Sequence, residues 1–163
     1  MRYMETKKNE IQRILVPIDG SEPAFDAASL AITIARRFDG AQLYLLHVVH
    51  IDQILRALGI HSTSESYSKV VDEQVTKARK EADKWFERIS KEAEAQEGMK
   101  ITNIDVKGTS LSIAGEIVDY AEKNNIDLIV IGTRGLGGFT KLLMGSVATG
   151  VVNYAPCSVL TVR

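Results

Sequence analysis

Two short runs, Ile14-Leu15-Val16-Pro17-Ile18 and Leu128-Ile129-Val130-Ile131, are apolar at consecutive positions. A strand with one wet face alternates apolar and polar residues, and a strand covered on both faces does not. The runs therefore predict the interior of a parallel sheet with helices packed on each side. Pro17 lacks the N–H that a central strand would donate, so the first strand is expected to stop pairing there.

The segments between and around these runs supply the helices. Arg13 to Ile18 reads as the first strand, and Asp19-Gly20-Ser21-Glu22-Pro23 as a turn into a helix, with Ser21 as cap and Pro23 in the first turn. Phe25, Ala28, Ile32 and Ala35 recur at helical spacing and carry that helix to about Phe38. Residues 41–49, AQLYLLHVV, form a second strand, completing a βαβ unit whose crossover is right-handed. Asp52 to Leu58 reads as a short helix stopped by Gly59, and His61 to Ser68 as a polar loop. Residues 50–68 are expected to be the most mobile segment and to close over a ligand.

A long helix follows from about Val70 to Glu97, with Ala78, Ala82, Trp85, Ile89 and Ala93 on its buried face. Its charges alternate in sign, the pattern of a solvated face. Ile101 to Val106 reads as a third strand, alternating and so nearer a sheet edge, followed by a loop over Lys107 to Leu111. Ser112 caps a helix to Asn124, the fourth strand follows, then a helix from about Ser146 to Tyr154 and a fifth strand, Ser158 to Val162. The sum is an α/β fold: one domain, residues 13–163, with an open five-stranded parallel sheet and helices on both faces. A mobile tail, residues 1–12, is expected ahead of it.

Composition narrows the function. With 163 residues and 45% hydrophobic content, a single domain can bury roughly 70% of its unfolded surface without disulfides. The single cysteine, Cys157, has no intramolecular partner and fits a reducing, cytoplasmic setting. No apolar run approaches the roughly 18 residues of a membrane span. Twenty basic and 21 acidic residues leave a net charge of −1, so neither nucleic acid nor an anionic membrane is an expected partner.

The stretch Ile126 to Val147 carries the chemistry. It passes from an apolar strand into a loop containing Gly132, Gly135, Gly137 and Gly138, and then into a helix opening at Gly145-Ser146-Val147. Glycines let the backbone approach an anion, and a helix start adds unpaired N–H groups and the positive end of the dipole. The P-loop is excluded because no lysine follows the second glycine at its spacing. The dinucleotide fingerprint is excluded because Thr140 stands where its third glycine would be and the loop follows the fourth strand.

What remains is Gly132, two residues, Gly135, nine residues, then Gly145-Ser146. This resembles the ATP-binding branch of the universal stress protein family, whose signature is G-2x-G-9x-G-[ST]. ILVPIDGSE, LLHVV, DLIVIGTRG and PCSVLTVR also look like family landmarks, so the resemblance spans nearly the whole chain from Gln12. It implies a Rossmann-like, adenine nucleotide alpha hydrolase-like fold that binds ATP. It assigns Pro17, Ile18 and Asp19 to the base and ribose, with Asp19 accepting from sugar hydroxyls. Val48 holds the adenine edge through its backbone. Ile131, Gly132 and Gly135 flank ribose and phosphates, which Gly145, Ser146 and Val147 cap from the helix start.

Alternatives stand beside these assignments. Asp19 also suits a purely supporting role at the start of the first helix, and Ser146 a plain N-cap. Arg134 and Lys141 are candidates to neutralise phosphate. Asp19 and Ser146 are candidates to hold Mg²⁺ through the nucleotide. His47, His50 and His61 have no cysteine or carboxylate cluster at ligand spacing, and His47 reads as a packed strand residue. Cys157 reads as buried and inert. Valine at Gly132 or Gly135 is expected to block phosphate approach while the fold largely survives.

The expected function is a nucleotide-dependent regulatory or stress-response protein with little or no intrinsic hydrolysis and no catalytic residues. The alternatives are a dimeric interaction module with a vestigial loop and a slow ATP phosphohydrolase. A homodimer is expected through the apolar last strand, SVLTV, which can cover its own edge across a two-fold axis.

Overall fold

A computed structural model describes residues 11–61, 63–96, 99, 101–135 and 144–163. Residues 1–10 of the expected tail lie outside these. Ile11 packs on the core, and the Gln12 N–H donates to Asp127 Oδ2 at 3.0 Å.

The elements are β1 (Arg13–Pro17), α1 (Glu22–Ala35), β2 (Gln42–His50), α2 (Asp52–Ala57), α3 (Ser66–Ala95), β3 (Ile101–Thr109), α4 (Ile113–Lys123), β4 (Leu128–Gly132), α5 (Ser146–Tyr154) and β5 (Ser158–Val162). All strand pairings are parallel and the order is β3-β2-β1-β4-β5. Chain progress runs outward in one direction from β1 to β3 and in the other from β4 to β5. The reversal between β1 and β4 leaves a crevice beyond their carboxyl ends, where open α/β sheets bind ligands.

The strand period of two divides the apolar runs between two cores. Ile14, Val16, Leu43, Leu45, Leu128 and Val130 face α1 and α3. Leu15, Leu46, Val48, Ile129 and Ile131 face α4 and α5. Both faces of β1 and β4 are thus buried, which is why neither run alternates. The open edge at β3 is tied to α4 by a polar cluster. Tyr120 donates to Asp105 Oδ2 at 2.7 Å, and Asn103 Nδ2 donates to the Tyr120 oxygen at 3.0 Å. Burial first, and then the Asp105 carboxylate, push the Tyr120 phenol above its usual range.

Three of the boundaries that differ from the sequence reading have a clear physical reason. α1 ends at Ala35, and Arg37 and Phe38 close it with bonds to Ile34 and Ala35 carbonyls at 2.9 and 3.1 Å, the tighter i→i+3 pattern of a helix end. α3 begins at Ser66, so residues 66–68 of the expected polar loop are helical, because Tyr67, Val70 and Val71 extend the partly covered face backwards. β3 continues through Lys107-Gly108-Thr109, which pair with Val48, Val49 and His50. Those residues read as loop in isolation, and pairing to β2 makes them strand. Within the segment expected to act as a lid, Ile51 and Leu55 are buried and the Ile51 N–H donates to the Thr109 carbonyl.

Candidate functional site

The crevice is built by two turns, one after β1 and one after β4, and by the start of α5. β1 ends at Pro17, and Ile18 makes one further bond, its N–H to the Leu46 carbonyl at 2.8 Å. Asp19 then folds back on the chain. Its Oδ1 accepts from the Ser21 N–H at 3.0 Å and from the Ser21 hydroxyl at 2.5 Å, an Asx turn of the kind aspartate favours. Ser21 occupies the N-cap position of α1, but its hydroxyl serves Asp19 rather than the helix. Oδ2 is thereby aimed at the other turn, and a Cβ placed on Gly135 would stand 2.5 Å from it. Oδ1 thus meets the supporting role foreseen for Asp19, and Oδ2 is left facing Gly135.

After β4 the Thr133 N–H donates to the Val162 carbonyl at 2.6 Å, and the Thr133 carbonyl accepts from the Gly145 N–H at 2.8 Å. These bonds fix where the loop leaves the sheet and where it enters α5. The Thr133 hydroxyl is buried without a hydrogen-bond partner among the described residues. Lys141 and the glycines at 137 and 138 lie outside the described residues. Arg134 is partly buried between Thr133 and Gly135.

Gly145, not Ser146, is the N-cap of α5, and it brings no side chain to cap the helix. The first intrahelical donor is Thr149, to the Gly145 carbonyl at 2.9 Å. The N–H groups of Ser146, Val147 and Ala148 precede it at the positive end of the dipole. Ser146 is the exposed first helical residue, so its hydroxyl is not a cap. Val147 packs partly into the core.

The remaining assigned residues are floor rather than wall. Pro17, Ile18, Val48 and Ile131 are buried, and the last three have side chains in the two cores. Their side chains leave little surface open, so the backbone is what they can offer a ligand. Val48 is well placed for that. Leu46 directs its carbonyl to Ile18, and two residues on, Val48 directs its own N–H and C=O to the same side. The last β1 pairing is Pro17 with Leu46, so the Val48 groups face the crevice past the end of β1.

Gly132 packs against the start of α1. A Cβ there would lie 2.9 Å from the Pro23 carbonyl carbon and oxygen and 3.0 Å from the Pro23 Cβ. Its missing side chain makes room for the start of α1. Valine at this position therefore has to displace the start of α1.

Among the described residues no group of three or more His, Cys, Asp or Glu is arranged to hold a metal. His47 Nδ1 pairs with the Ile18 carbonyl at 2.7 Å, and His50 Nε2 with the Leu111 carbonyl at 3.1 Å. Cys157 is half-buried rather than buried, and burial, followed by the charge of Asp127, pushes its thiol up, away from the reactive thiolate. Among the described residues no helix is long and apolar enough to cross a membrane. Two contributors escaped the sequence reading as site residues. Ser21 was signalled by the D-G-S spacing of an Asx turn; Thr133 had no signal beyond its place between glycines.

Comparison with known proteins agrees with this architecture. Residues 10–163 match the universal stress protein family. Universal stress protein MJ0531 of Methanocaldococcus jannaschii is 36% identical over 156 residues, covering 96% of this chain and 84% of that one. The solved universal stress protein UspA from Lactobacillus plantarum superposes with a TM-score of 0.74 at 27% identity, over 94% of this chain and 99% of that one. A universal stress protein from Archaeoglobus fulgidus in complex with dAMP has the same fold, with a TM-score of 0.58 at 21% identity over 94% of this chain and 99% of that one. A further one is solved in complex with cAMP, with a TM-score of 0.59 at 20% identity over 93% of this chain and 96% of that one. The sheet order, the two-sided core and the family match converge: the chain belongs to the universal stress protein family.

Proposed function

We propose that this protein binds ATP in the crevice between β1 and β4 and acts as a nucleotide-dependent regulatory protein of the stress response, with little or no hydrolysis. The observation that carries the reading is the meeting of three separate segments. Asp19 Oδ2 faces Gly135, and the loop bearing Gly135 is bonded through Thr133 to Gly145, the side-chain-free cap of α5. Asp19 supplies an acceptor for ribose hydroxyls, and the N–H groups at the start of α5 supply donors for phosphate. Val48 offers a backbone donor and acceptor to the adenine edge. Pro17, Ile18, Ile131 and the Gly132 backbone form the floor, Gly135 the open side, and Arg134 a cation beside the phosphates. Relatives of this fold bound to dAMP and cAMP support an adenine ligand. A Mg²⁺ carried by the phosphates would find oxygen donors at Asp19 Oδ2 and the Ser146 hydroxyl. The lone, weakly reactive Cys157 suits a cytoplasmic site of action.

Calorimetry on nucleotide-free protein tests this reading. Saturable heat with ATP and Mg²⁺ is expected, and ATP at about a hundred times its Kd should stabilise the fold by about 2.7 kcal/mol. No heat and no shift in melting at millimolar ATP would remove the proposal.

The homodimer belongs to the same reading. β5 is an edge strand with Leu160 exposed, and Val152 and Tyr154 of the adjoining α5 are also exposed apolar side chains. An unpaired apolar edge invites pairing with a second copy. Sedimentation is expected to find a dimer that Leu160→Lys converts to monomer; a wild-type monomer at every concentration would refute it.

A further inference from the structure

We infer that Trp85, reaching from α3, is the positioning residue that holds the Asp19 turn in its ligand-facing conformation. The inference rests on the nucleotide reading above and adds a residue to it from α3. Gly20 follows Asp19 with φ +81°, a left-handed conformation that side chains disfavour. The space into which a side chain at position 20 would project is filled by the indole: an ideal Cβ would lie 2.5 Å from Trp85 Cζ2 and 2.6 Å from Cε2. The tryptophan thus bears directly on the one backbone unit that has the freedom to swing Asp19 elsewhere.

The indole is itself braced. His47 follows Leu45 at the strand period and faces α3, where its ring meets Trp85 edge-on at 5.2 Å between centroids and 85° between planes. The same imidazole pairs through Nδ1 with the Ile18 carbonyl at 2.7 Å. The turn is therefore held before Asp19 by His47, after it by Trp85, and from within by Ser21. With Gly20 pressed against the ring, the carboxylate keeps Oδ1 on Ser21 and Oδ2 toward Gly135. Trp85 stands behind the turn, on the α1 and α3 side of the sheet. Its effect on a ligand in the crevice passes through Asp19.

A core residue would affect global stability alone, whereas a positioning residue affects the turn locally, so the test reads both. Amide exchange by NMR on nucleotide-free Trp85→Leu should lose about tenfold protection at the Ser21 N–H while Ile129, at the sheet centre, keeps its protection; Trp85→Phe, which retains a ring against Gly20, should stay within about threefold of wild type at both. ATP affinity by calorimetry should follow the same order, down at least tenfold in Trp85→Leu and nearly unchanged in Trp85→Phe. If Trp85→Leu fails to fold, His47→Gln, which removes the ring braced against the indole, carries the comparison, with a several-fold loss at Ser21 expected. Wild-type protection at Ser21 in a folded Trp85→Leu, or equal loss at Ser21 and Ile129, would overturn the inference. Absence of ATP binding by the wild type would overturn the nucleotide reading, and the exchange comparison would still decide whether Trp85 holds the turn.

Discussion

Gly132→Val is expected to destabilise the fold by about 1–3 kcal/mol in urea unfolding, the usual cost of forcing atoms into a filled interior. The obstruction is the Pro23 backbone, whose carbonyl carbon and oxygen would lie 2.9 Å from the new Cβ. A carbonyl in the first turn of a helix has no rotamer to escape by, so α1 as a whole must move off β4. Gly135→Val makes the contrast. There the obstruction is Asp19 Oδ2 at 2.5 Å, the tip of a side chain on a surface turn, and the loss of stability should stay below about 1 kcal/mol. ATP affinity should nevertheless fall at least tenfold, about 1.4 kcal/mol, because the displaced carboxylate and the added side chain both disturb the crevice. A Gly132→Val protein as stable as wild type would mean that α1 shifts freely, and the packing account would be wrong.

The second large effect separates two roles of one residue. Asp19→Ala should cost about 1–3 kcal/mol of stability, because the Ser21 hydroxyl, on a residue only 7% exposed, loses the acceptor it donates to. Asp19→Asn keeps an oxygen for Ser21 and should cost well under half of that. For ATP the two should behave alike, each weakening binding at least tenfold. The asparagine, with its oxygen held by Ser21, presents an NH₂ to the crevice where ribose hydroxyls require an acceptor. Wild-type ATP affinity in Asp19→Asn would reduce Asp19 to a turn residue and remove it from the binding site.

The sheet was legible because burial on both faces writes itself into consecutive positions. Ile14 to Val16 and Leu128 to Ile131 contain no residue that tolerates water, and each is central in the sheet. The positions that misled are those whose state depends on a distant partner. Lys107-Gly108-Thr109 carries loop composition and becomes strand because β2 offers unpaired groups alongside. Gly132 shows its missing side chain in the sequence but not its neighbour, Pro23, which arrives by folding. The helical period put Trp85 on the inner face of α3. It carries no record that the indole meets Gly20 rather than more core. The alternative that made Ser146 a plain N-cap falls for a subtler reason: a serine and a glycine at a helix start are both acceptable caps, and only the backbone dihedrals of Gly145 decide between them.

The two bonds of Thr133, outward to Val162 and across to Gly145, fasten both ends of the segment that follows β4 to the same small patch of scaffold. Doubling the length of chain between two such anchors costs only about 0.6 kcal/mol in closure entropy. Insertions or exchanges between Gly135 and Gly145 should therefore leave the start of α5 where it is.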